Sequence, residues 1–359
     1  MNVTSISRVV AAWTGLITLV LGAQAAFAEP LVYVPLGGEN KIVAVDAAKD
    51  EIVDTISGPV AVHGLAGTPD GRFLIAGSFE TRVSGGEAIA KPTGVSDDEH
   101  AAHHSVAPTD TKNAAAQVST VSVVRTADGS VVRRIDVPGA VHHVAVSGDG
   151  RFAVVTHPNY GSISAIDLGS YEVVATVATG PLPNYATFAP GGDRLYVSNA
   201  GNDTVSEVDT ARWIVRWNAV VGRSPEHVVL SSDGARLFVN NVNDGTVSVI
   251  AVDDRKVVKT IPVGSTLHGI DLSDDGETLF VAVLGGDKVV AVDLATGSER
   301  SGSLAPAPYH LAVIRGTGKL YVSSADQPKL WVVDQRDLRV RGEIQIGGKG
   351  HQMFQSAGG

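Results

Sequence analysis

Eleven histidines and no cysteine in 359 residues leave imidazole and carboxylate as the groups available for metal or acid–base chemistry. His63, His142, His268, His310 and His351 each open a run of about nine residues, and the corresponding runs at two further places open with Asn184 and Glu226. From His142 onward these residues are spaced 42, 42, 42, 42 and 41 apart. A closed repeat would carry all seven to one place. Neutral imidazoles with a carboxylate suit a borderline divalent ion, zinc above all. Glu226, His227 and His268 also make an acid/base set of the kind a lactonase or lyase would use.

A second histidine cluster lies in the stretch between Ser78 and Ser119. Ser96-Asp97-Asp98-Glu99 reads as a helix N-terminus, and a turn of helix there would put Glu99, His100, His103 and His104 on one face. That segment reads as a metal-capturing arm. A lone histidine at a strand start more often bonds a turn than a metal. Five in one ring, with a histidine-bearing loop on the same face, favour ligation. The expected site is His63, His142 and His351 at the channel, with His100, His103 or His104 in the fourth position. His310, His268 and Glu226 complete the candidate ligands.

The elements that must position these residues are short strands. Each unit runs from a polar strand through a Ser-x-Asp-Gly-like turn to a strand such as LYVSN (195–199), then to two more strands joined by polar turns. Between His63 and His142 the spacing is 79, one repeat plus 37 residues. Residues 29–359 without that insertion (about 79–118) amount to seven repeats of 42. The expected fold is all-β: a seven-bladed β-propeller of four-stranded antiparallel blades. Leu31–Ile56 supplies three strands and 351–356 the innermost fourth, so the termini should pair and close the ring. The recurring Asp46, Asp167, Asp209, Asp253, Asp293 and Asp334 should cap turns. Trp213, Trp217 and Trp331 should pack between blades.

LYVSN (195–199), LFVNN (237–241), LFVAV (279–283) and LYVSS (320–324) resemble the YVTN family of periplasmic and surface β-propellers, whose fold hosts many functions. In histidine display the chain also resembles the propeller-type zinc metallochaperones. That resemblance implies zinc held at the channel mouth and passed to the solute-binding protein of an ABC importer. The chain departs from it in lacking a long His/Asp-rich N-terminal tail. The alternatives are a propeller lactonase or lyase, a haem-binding variant with a channel histidine as axial ligand, and a non-catalytic interaction scaffold.

Composition narrows the field. A net charge of −10 without a basic cluster argues against nucleic-acid binding. The absence of cysteine excludes disulfide, iron–sulfur and thiol chemistry. With Met353 the only methionine beyond the leader, a soft copper(I) site is disfavoured. Residues 1–28 combine Arg8, an apolar run and Ala26-Phe27-Ala28, and are expected to be a secretory signal peptide. A periplasmic monomer is the expectation.

Overall fold

The computed structural model describes residues 30–83 and 117–356. The expected leader (1–28) and His100, His103 and His104 lie outside them. The described strands fall into seven sheets around a central channel. Blade 1, from the channel outward, is Phe354–Gln355, Leu31–Leu36, Lys41–Asp46 and Glu51–Ser57. Blade 2 is Val62–Gly67, Phe73–Ser78, Gln117–Arg125 and Val131–Pro138, with Arg82–Val83 paired to the start of Gln117–Arg125. Blades 3 to 7 occupy 144–178, 183–220, 225–262, 267–303 and 308–345. The chain is a seven-bladed β-propeller.

The ring closes through the termini. Val32 pairs with Gln355 and Tyr33 with Phe354. The amide of His351 donates to the Pro35 carbonyl, and that of Ser356 to the Leu31 carbonyl. The innermost strand of blade 1 is therefore the C-terminal segment. It is shorter than 351–356, and backbone bonds extend its pairing at both ends.

The second strand of each blade is buried on both faces, as an element sandwiched between two others must be, while the outermost strands are largely exposed. The buried residues form clusters that each span two neighbouring blades. Val32, Val34 and Val43 of blade 1, for example, pack against Tyr321, Leu330 and Val332 of blade 7. Trp331 is buried between blades 6 and 7, while Trp213 and Trp217 pack partly buried against their own inter-blade clusters. Asp46, Asp167, Asp209, Asp293 and Asp334 each accept two backbone amides of the following turn, as expected. Asp253 departs from this set. Its strand ends at Ala251, and its carboxylate instead lies 3.8 Å from Arg194. Among the described residues no helix is long and apolar enough to cross a membrane.

Candidate functional site in the channel

A β-bulge decides which side chains face the channel. In blade 4, Pro183 pairs with Asn199 and Ala186 with Val197, so Asn184 and Tyr185 together oppose Ser198 alone. The same two-against-one irregularity lies at Glu226-His227, His268-Gly269 and Tyr309-His310. In blade 3, Thr156 bonds the backbone of both His142 and His143. A regular strand would send consecutive side chains to opposite faces, whereas a bulge re-aims them. Each blade thus offers the channel two residues.

Going round from blade 1, the first tier is His351, His63, His142, Asn184, Glu226, His268 and Tyr309. The second is Gln352, Gly64, His143, Tyr185, His227, Gly269 and His310. Register moves one residue from its expected place. His310 belongs to the second tier, and Tyr309 holds the blade 7 place in the first. The cause is in blade 6. Its outer strand, Glu299–Ser303, pairs without the bulge seen in the outer strands of the other blades. The one-residue shortening of the repeat therefore precedes His310 rather than follows it.

Three second-tier histidines, from the alternate blades 3, 5 and 7, converge. One nitrogen each from His143, His227 and His310 lies within 4.8 Å of the others, and all three residues are buried. The rings are 5.0–6.2 Å apart between centroids. Neither nitrogen of His143 or His227, nor Nε2 of His310, has a hydrogen-bond partner. Burial, then the neighbouring imidazoles, holds His143 and His310 well below the usual histidine range. Burial lowers His227 to about 4 against a smaller opposing pull from Glu226. All three are neutral at pH 7, with lone pairs available. Buried polar atoms without partners are costly, and a divalent ion would satisfy them. The donor set fits one: three neutral imidazoles with a fourth position open is a zinc ligand set.

A second group overlaps the first. Glu226, His227 and His268 also bring ligand atoms within 4.8 Å of one another, and Nδ1 of His268 lies 3.4 Å from the Glu226 carboxylate. Tyr309 stacks on His268 with ring centroids 3.9 Å apart and planes at 13°. His227 is common to both groups.

His63, His142 and His351 do lie together. The His63 ring is 4.5 Å from His142 and 4.3 Å from His351. These contacts are tilted ring stacks, and Nδ1 of His63 and of His142 is bonded to the carbonyl of the next first-tier residue, His142 and Asn184 respectively. Phe79, at the start of the insertion, packs on His63 and His142. His157 belongs to another set. Its Nε2 is 2.8 Å from the Ser164 hydroxyl and its Nδ1 3.3 Å from the Ala140 carbonyl. It stands where Asn199 and Asn241 bond Ser206 and Ser248 in their blades.

Sequence reasoning left His143 out of the ligand set and passed over Tyr185, Tyr309 and Gln352. The available signal was the doubled polar pair, His142-His143 and Glu226-His227, at a point where His63 and His268 are followed by glycine.

Residues 154–320 match the family described as "Lactonase, 7-bladed beta-propeller", and that segment holds Glu226, His227, His268 and His310. Over these blades the chain is similar to the propeller lactonases. Among solved structures, the periplasmic gluconolactonase of Pseudomonas aeruginosa is 16% identical, with a TM-score of 0.68 over 92% of this chain and 99% of that one. A putative 6-phosphogluconolactonase from Bacteroides uniformis is 13% identical, with a TM-score of 0.69 over 91% and 99%. The hydrazine synthase of Kuenenia stuttgartiensis is 18% identical, with a TM-score of 0.60 over 76% of each chain. At these identities the likeness is one of fold. No curated protein sequence matches the chain.

Proposed function

We propose that the protein is a lactone hydrolase whose site is the channel, with a divalent metal ion held by His143, His227 and His310. One observation carries this reading: two buried three-residue groups meet at His227, one made wholly of neutral imidazole and the other bearing a carboxylate. The match to the lactonase family over the blades that supply most of these residues supports hydrolysis ahead of metal delivery. A bound zinc ion would supply Lewis-acid polarisation of an ester carbonyl.

The chain's own residues account for the proton movements. Glu226 faces Nδ1 of His268, and Nε2 of that ring would take a proton from the attacking water. The carboxylate then stabilises the imidazolium that results. Water adds to the lactone carbonyl, the ring C–O bond breaks, and the proton held on His268 passes to the leaving alkoxide. The product is a hydroxy acid. Tyr309 keeps the His268 ring in plane by stacking.

The reading places the protein in the periplasm, to which residues 1–28 would direct it; a periplasmic lactonase among similar folds is compatible. The test uses untagged protein and a panel of sugar-acid lactones, followed by acid release. Turnover is expected, and Glu226→Gln should lower kcat by about 10²-fold or more without altering metal content. Stoichiometric zinc with no turnover on any lactone would overturn hydrolysis and leave metal carriage, with an importer's solute-binding protein as acceptor. Metal-free, inactive protein would leave the scaffold reading.

A further inference from the structure

We infer that Gln352 is the positioning residue of the His143–His227–His310 ligand set, so that the C-terminal segment completes the site as well as the ring. This rests on the metal reading above. Gln352 holds the second-tier place in blade 1, where blades 3, 5 and 7 present imidazoles. Its amide reaches to blades 2 and 3. Oε1 accepts from the Leu65 amide at 3.0 Å and the Val144 amide at 3.2 Å, while Nε2 donates to the Val144 carbonyl at 2.9 Å.

Val144 directly follows His143, so one side chain grips both polar groups of the residue beside that ligand. It also grips the backbone next to Gly64, which lies against His143 so closely that a Cβ there would sit 2.9 Å from the His143 Cα. Tyr185, the second-tier residue of blade 4, packs on the far side of His143. The Tyr185 ring is 3.7 Å from His143 and 4.8 Å from His227. An amide has two acceptor and two donor positions, and three of the four are used here, both acceptors and one donor.

The need for such a strut is local. The inner strand of blade 3, Val144–Val146, has three residues, against six in the inner strands of blades 2, 4, 5 and 6. Thr156 holds the His143 backbone from the second strand, and Gln352 holds the N–H and C=O of Val144, where the short strand begins. A hydrogen-bond network rigidifies what it holds. Residues that orient metal ligands typically change affinity 10–100-fold when removed.

Cobalt(II) titration, read by visible absorption, tests the inference on the full chain. Gln352→Met keeps length and removes the three hydrogen bonds. Its cobalt affinity should be about 10–100-fold weaker than wild type, with an altered visible band. Gln352→Glu keeps the two acceptor contacts and should fall between; it carries the test if Gln352→Met does not fold. Asn241→Ala, a loss of buried hydrogen bonds outside the channel, should lower the melting temperature and leave affinity and band unchanged. Wild-type affinity and band in Gln352→Met would overturn the inference alone, as would an equal loss of affinity in Asn241→Ala. Wild-type protein that binds no cobalt would overturn the metal reading and this inference with it.

Discussion

Two buried polar regions are made from the same repeat, and they are finished differently. At the ends of the second strands, Asn241 donates to Thr246 and Ser248 and accepts from the Gly222 amide. His157, at the equivalent point of blade 3, engages both ring nitrogens. In the channel, His143 and His227 engage neither, although they are as deeply buried. Hydrogen-bonded burial stabilises a fold, whereas unsatisfied burial costs stability and persists where function needs it. Histidine type and burial do not distinguish His157 from His143. The partners do.

The comparison can be broken at several points. The largest effect on stability should come from Asn241→Ala, which strips Thr246, Ser248 and the Gly222 amide of a partner. Unfolding by denaturant should show a loss of about 1–3 kcal/mol, with channel chemistry unchanged. An unaltered midpoint would refute the structural role of these bonds.

Next comes the acid limb. Burial lowers His157 to about 4, whereas unfolded histidine takes up its proton near 6.5. Between those values the unfolded state binds more protons, so stability falls as pH drops through the window. The His157 share should be about 2 kcal/mol by pH 5. His157→Asn, which restores the residue found at 199 and 241, should melt at more nearly equal temperatures at pH 7.5 and pH 5. An unchanged pH slope would count against this assignment.

The smallest effect should be His227→Leu in metal-free protein. With two unpartnered nitrogens removed and volume roughly kept, stability should hold or rise by about 1 kcal/mol. A loss like that of Asn241→Ala would mean that His227 is bonded in solution.

The fold was legible because a 42-residue period, Ser-x-Asp-Gly turns and the closing arithmetic all pointed one way. The site was legible in location and partly in membership. First-tier positions follow from the period, and Glu226, His227 and His268 were read together as an acid/base set. The second tier was not legible. A bulge turns two adjacent residues toward the channel against the alternation a strand implies, and nothing in the spacing marks it. His310 was misplaced by one position because the shortening is a missing bulge in blade 6, invisible until strands are paired. Gln352 had no signal at all: its contacts reach Leu65 and Val144 in the next two blades, far away in sequence.

The central claim is that His143, His227 and His310 are a ligand set and not core filling. A zinc titration by calorimetry on wild type, His227→Leu and His157→Asn tests it most directly. One equivalent bound by wild type and by His157→Asn, with none bound in the channel of His227→Leu, is the predicted result. Binding that is absent from wild type, or unchanged in His227→Leu, would contradict it.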